Sequence, residues 1–310
     1  MKDLHLLPKV RDSWSYLYVE HCKIDQEARA IALHDQNGTT AVPCASLTLL
    51  MLGPGTSITH AAIRSLAENG CLAMWTGEEG VRTYAQGMGE TRSARNLLWQ
   101  AYLCTHPSKR LQVVRRMYTM RFEEDLDPEL SLEQIRGREG VRVREAYASA
   151  SRDTGVEWQG RSYRRNDWHS TDSVNRALST ANSCLYGVCH AAIISAGYST
   201  ALGFIHTGNM LSFVHDIADL YKVETTIPMA FRAAMDGATG LETRVRQGCR
   251  DIFREQRILH RIVADIEDVL GVRDAMLEDG SDADADEAGP GSLWDPDAGL
   301  VVSGVNWGER

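Results

Sequence analysis

The chain has 310 residues, 43% of them apolar, which leaves room for two domains with real cores and no need of disulfide or metal staples. Its seven cysteines (Cys22, Cys44, Cys71, Cys104, Cys184, Cys189, Cys249) are odd in number and lack the paired spacing of a structural zinc site, so core thiols of a reduced, cytoplasmic protein are expected. The formal charge of −9 argues against nucleic acid only until it is mapped: eight acids and no Lys or Arg lie between Glu278 and Asp297, whereas Thr91 to Phe122 holds seven cations and no acid. A phosphate backbone responds to such local stripes, and the basic one points to a polyanion partner.

The first residues, MKDLHLLPKVRD, have no apolar signal core. From Trp14 to about Tyr84 the pattern is that of short strands. Ser15 to His21 and Ala28 to His34 alternate or run apolar with β-branched and aromatic residues, and Asp35-Gln36-Asn37-Gly38 reads as a hairpin turn into Thr40 to Cys44. Leu47 to Leu52 is an apolar run closed by Gly53-Pro54-Gly55. A helix with Thr59 as N-cap runs to Asn69-Gly70, and strands at Cys71 to Thr76 and Val81 to Tyr84 complete the region. Around Gly87-Met88-Gly89 helical periodicity takes over.

Leu97, Leu98, Ala101 and Tyr102 share one helical face; Pro107 opens a second helix, whose arginines are expected outside. A third helix runs from Leu132 to Ser151. The loop EWQGRSYRRNDWHS then interleaves Trp158, Tyr163, Arg164, Arg165 and Trp168, a pattern suited either to stacking on bases or to anchoring the loop on the domain. Asp172 caps a helix through Leu178, Leu185 and Ile193 that is expected to be the buried centre of the second domain. Its small-residue run from Ala177 to Gly197 is interrupted by Asn182 and Ser183, so no stretch is expected to span a bilayer. Helices from about Pro228 to Met235 and from about Glu242 to Leu270 follow. The expected fold is α+β, with an N-terminal small, β-sandwich-like domain (1–88), an all-α C-terminal domain (89–277) and an acidic, flexible tail (278–310).

Gly203 to Lys222, GFIHTGNMLSFVHDIADLYK, carries the chemistry. His206 lies in a Gly-bounded turn, and Asp216 and Asp219, three apart on a helix, share a face. Glu139, in the Arg-rich segment RGREGVRVREAY, is the best further ligand. One imidazole nitrogen and hard oxygens suit Mg²⁺ or Mn²⁺ and phosphodiester chemistry. Asp216 then sits beside the site, holding a ligand in place, serving as an occasional ligand or accepting a proton. His215 with Asp219, four apart, is a competing pair, and Glu139 could instead pair with Arg136 or Arg142.

The segments LEQIRGREGVRVREAY, TANSCLYGVCHAAIISAGY, ALGFIHTGN, SFVHDIADLYK and CRDIFR resemble those of the CRISPR-associated integrase, the larger of the two core proteins of spacer acquisition; SFVHDIADLYK and GPGTSITHAA resemble its subtype I-E branch. The resemblance runs from about Leu17 to Leu270. It implies that Glu139, His206 and Asp219 hold the metal with Asp216 close by, which sets His215 aside. It also implies DNA contacts at Arg82, Tyr163, Trp168, Tyr186 and Arg246. The partners it implies are double-stranded DNA (prespacer and CRISPR repeat), a second copy in a homodimer, and a small ferredoxin-like adaptation protein. The implied activity is that of a metal-dependent DNA endonuclease and integrase that joins 3′-OH ends into the repeat array; a non-catalytic DNA-binding scaffold and a freestanding nuclease on branched DNA are the alternatives. Where this branch tends to place an end-splaying tyrosine, VEHCKID offers His21.

Overall fold

The computed structural model describes residues 16–27, 30–44, 47–78, 83–87, 94–161, 172–272, 293–296 and 299–301. Strands come first: β1 (Tyr16–Val19), β2 (Lys23–Glu27), β3 (Ala30–Asp35), β4 (Gly38–Pro43), β5 (Leu49–Leu52) and β6 (Ser57–Ile58), then helix α1 (His60–Glu68), β7 (Leu72–Thr76) and β8 (Thr83–Gly87). They form two four-stranded sheets, ordered β1-β5-β7-β8 and β4-β3-β2-β6. β5 runs parallel to both β1 and β7, and such pairing needs crossovers; α1 supplies the second of them. Ile24 and Ile31 from one sheet, Leu50 and Leu52 from the other, and Leu66 of α1 share one buried cluster. The Asp35–Gly38 turn forms as expected, with the Asp35 carboxylate accepting from the Asn37 N–H at 2.7 Å. β2 was not expected: Lys-Ile-Asp-Gln-Glu buries only Ile24 completely, and pairing with β3 makes it a strand.

Beyond this sheet region the described chain is helical up to residue 272: α2 (Arg95–Thr105), α3 (Pro107–Phe122), α4 (Leu132–Thr154), α5 (Ser173–Ser195), α6 (Ser212–Ala218), α7 (Thr226–Met235), α8 (Leu241–Glu255) and α9 (Ile258–Leu270). α5 is the buried axis, capped by Asp172 through the Asn175 N–H. One face packs with α2, α3, α6 and α9 around Leu185, Ile193, Phe213 and Ile262; the other packs with α7 and α8 around Leu178, Phe231 and Val245. Its last turns reach the sheet, where Ala191 and Ile194 meet Leu49, Met51, Leu72 and Met74.

Three expectations are corrected. The segment from Glu242 to Leu270 is two helices, because Arg257 takes a left-handed φ of 50° between them. α5 does have the length and hydropathy of a membrane span, yet it is packed inside the fold. The α3 arginines are not an outward stripe: Arg110 donates to the carbonyls of Gly203 and Phe204, Arg115 to those of Pro128 and Leu130, and Arg116 to that of Val269. Arg121 is buried. In the acidic tail, β9 (Leu293–Asp295) and β10 (Gly299–Val301) pair antiparallel.

Candidate metal centre

The Gly203–His206 turn is shaped by steric necessity. A Cβ on Gly203 would lie 2.4 Å from the His206 carbonyl oxygen and 2.7 Å from Ser212 Cβ, so only glycine lets the turn close on the start of α6. α6 is short and lacks a side-chain N-cap, yet Phe213, Val214 and Ile217 are fully buried on it. Burial of that size contributes about 1.5–3 kcal/mol per side chain and holds the helix where propensity alone would not.

Asp216 points from α6 into the turn and is fully buried. Its Oδ2 accepts from the N–H groups of Phe204 (2.6 Å) and Ile205 (3.1 Å), and its Oδ1 from the His206 N–H (2.9 Å). The same Oδ1 lies 2.7 Å from His206 Nδ1. With Nδ1 engaged, Nε2 is the nitrogen left to bind a ligand, and Asp216 fixes both the ring and its tautomer. This hydrogen bond raises the His206 pKa above its ordinary value against the opposing effect of burial.

α4 presents Glu139. A full capping box at Ser131 and Gln134 starts the helix and a left-handed Gly155 ends it. Arg142 grips the Glu139 carboxylate through Nε (3.0 Å) and a terminal nitrogen (3.3 Å), which is the helical ion pair open from the sequence. Asp219, the C-cap of α6, pairs with Lys222 at 2.6 Å. Burial opposes ionisation of Asp219, but Lys222 and Arg121 outweigh it and hold the acid below the usual carboxylate range.

Between the two carboxylates sits Arg121. One terminal nitrogen is 3.5 Å from Glu139 and the other 3.5 Å from Asp219, while the side chain is only 3% exposed. Elements far apart in sequence thus meet at one cation. His215 does not join them: its ring packs between Tyr186 (4.9 Å) and His206 (5.6 Å), and burial, with the charges of Lys222 and His206, lowers its pKa. The donor chemistry fits a hard divalent ion, with two carboxylates around a common positive charge and an imidazole whose Nδ1 is already spoken for. Among the described residues, however, no three His, Cys, Asp or Glu side chains close on a single point, and Arg121 lies against two of the three expected ligands.

Of the expected DNA contacts, Arg82, Tyr163 and Trp168 lie outside the described residues. Tyr186 is half-buried with Lys222 Nζ 5.0 Å from its ring centre. Arg246 is paired with Glu78 at 3.1 Å, a bridge from α8 to the chain just after β7. Trp158 stacks on Tyr147 at 4.5 Å and tilts against Phe231, so this one ring of the segment is packed on the helices and not free to stack on bases. His21 is exposed with a left-handed φ of 50°, its N–H donating to the Pro54 carbonyl at 2.9 Å. The sequence did not single out Arg121 or Lys222 as site residues. Lys222 carried a signal, three residues after Asp219; Arg121 carried none, since its partners are remote in the chain.

Residues 120–239 match the family described as CRISPR associated protein Cas1. The chain is 51% identical over 308 residues, 99% of this chain and 94% of the relative, to the CRISPR-associated endonuclease Cas1 2 of Thermus thermophilus. It is 44% identical over 262 residues to the CRISPR-associated endonuclease Cas1 of Escherichia coli, covering 84% of this chain and 86% of that one. In three dimensions it is similar to a crystal structure of a TtCas1–DNA complex, with a TM-score of 0.78, 54% identity, and 85% and 99% of the two chains covered.

Proposed function

This chain belongs to the CRISPR-associated protein Cas1 family, and from that premise we propose that it is a metal-dependent DNA endonuclease and integrase of spacer acquisition. Relatives across most of its length carry the name endonuclease, and a similar structure holds DNA, which supports nuclease action on a DNA substrate. The single observation that carries the reading is the convergence of Glu139 and Asp219 on one charge, beside an imidazole pinned by Asp216.

Glu139, His206 and Asp219 would hold Mg²⁺ or Mn²⁺, and the bound ion would polarise a phosphodiester and stabilise charge on the attacking and leaving oxygens. The residues of the chain do the rest. Asp216 keeps the imidazole aimed and its Nδ1 protonated. Arg142 holds Glu139 on α4, and Lys222 holds Asp219 ionised. The nucleophile is the 3′-hydroxyl of an incoming DNA strand, displacing the leaving oxygen in line, so no covalent protein intermediate forms. With water in its place the same site hydrolyses branched DNA. Arg82, Tyr163, Trp168, Tyr186 and Arg246 are the proposed DNA contacts, and Arg246 must first leave Glu78. A homodimer, a small ferredoxin-like adaptation protein and a cytoplasmic setting complete the proposal.

The scaffold alternative draws on Arg121, whose charge satisfies both carboxylates without an ion. Cleavage of a labelled branched duplex in Mg²⁺ or Mn²⁺, with and without EDTA, separates the two. The nuclease reading expects cleavage that EDTA stops and that Glu139→Gln lowers by about 10²-fold or more. DNA binding with no cleavage under any ion would favour the scaffold.

A further inference from the structure

Arg121 is badly satisfied for a buried guanidinium. Its two contacts with carboxylates, each 3.5 Å, are longer than good hydrogen bonds, and its third, to the Asp216 carbonyl, is 3.3 Å. Its Nε is buried with no hydrogen-bond partner among the described residues. By contrast Arg142 and Lys222 grip the same two carboxylates at 3.0 Å and 2.6 Å. Arg121, whose guanidinium also lies 5.2 Å from the Tyr118 ring centre, is thus the most loosely hydrogen-bonded of these three cations while standing where both acids converge. It also lines a cleft with Arg142, Leu220, Tyr221, Arg261 and Asp265.

The charges point the same way. Glu139, Asp216 and Asp219 are matched by Arg121, Arg142 and Lys222. A divalent ion entering this balanced set adds positive charge to a buried place unless Arg121 withdraws or an anion arrives with it. Resting on the metal-centre reading above, the geometry points to Arg121 as a resident counter-cation: it holds Glu139 and Asp219 together before an ion binds, and an ion that arrives without an accompanying anion must displace it. Arg121 is accordingly a positioning residue that sets metal affinity, and it does not touch the reacting atoms.

The test is Mn²⁺ titration of the full chain without DNA, followed by the electron paramagnetic resonance signal of the free ion, with thermal unfolding of each protein alongside. Arg121→Met should bind Mn²⁺ about tenfold more tightly than the parent, because a competing charge is gone. It should also melt lower without metal and gain more from Mn²⁺ than the parent does. Should Arg121→Met fail to fold, Arg121→Lys carries the test: an ammonium cannot span both carboxylates, so affinity should still rise. Unchanged or weaker Mn²⁺ binding in a folded Arg121 variant would overturn the inference. Glu139→Ala keeps the two readings apart. If it abolishes Mn²⁺ binding while Arg121→Met leaves affinity unchanged, only the counter-cation fails; if Mn²⁺ binding is indifferent to Glu139→Ala, the metal centre itself fails, and this inference with it.

Discussion

At the scale of single residues, Asp216 and His206 are bonded to each other but differ in what they support. Asp216 satisfies three successive backbone N–H groups and an imidazole from a fully buried position. Asp216→Ala leaves those donors buried without partners and should cost about 2–4 kcal/mol of stability in metal-free urea unfolding. His206 has a side chain 43% exposed, so His206→Ala should stay within about 1 kcal/mol of the parent in the same measurement. Equal losses from the two variants would mean that Asp216 does not hold the turn. The sequence made His206, Asp216 and Asp219 legible as a group because they are neighbours on one turn and one helix. It left Glu139 with an open choice between a metal and Arg142, and gave no hint of Arg121, because a contact between α3 and both acids exists only after α3, α4 and α6 pack.

Among the elements, the turn before α6 depends on its first glycine. Gly203→Ala must push the His206 carbonyl or Ser212 aside, and a shift of that kind costs about 1–3 kcal/mol. It should lower metal-dependent cleavage more than DNA binding, which cleavage and gel-shift assays on the same preparation would show; cleavage and binding reduced together would instead indicate general unfolding. Most helices were legible from caps and periodicity, Thr59, Pro107 and Asp172 being the clearest starts. The break between α8 and α9 was not. Glu255-Gln256-Arg257 contains no Gly or Pro, and the left-handed Arg257 is imposed by packing: Val245 and Cys249 of α8 and Ile258 and Ile262 of α9 enter separate cores. The same long-range logic made a strand of β2, whose composition is polar.

For the whole molecule, the sheet and the helices meet along the end of α5, where His190 faces Gln86 of β8 at 3.3 Å. Burial holds the His190 imidazole below its ordinary pKa of 6.5. The folded protein therefore binds fewer protons here than the unfolded chain, and this group's contribution to stability is present above about pH 6.5 and lost as the pH falls toward the depressed value. His190→Gln should flatten the fall in melting temperature between about pH 7 and pH 5.5 relative to the parent; an identical slope in both proteins would place the acid sensitivity elsewhere. Charge at this scale also needs the fold to be read. Arg110, Arg115, Arg116 and Arg121 of the basic stripe visible in the sequence are spent on carbonyls and acids of the protein itself, so DNA-binding charge cannot be counted from α3 alone.

The most direct test of the central claim is strand joining: a labelled short duplex with free 3′-hydroxyls, a supercoiled plasmid bearing a repeat, the small adaptation protein, and Mg²⁺ or Mn²⁺, with His206→Ala beside the parent. Metal-dependent joined product is expected from the parent and a loss of about 10²-fold or more in the variant, with duplex binding retained. Equal joining by His206→Ala would contradict it.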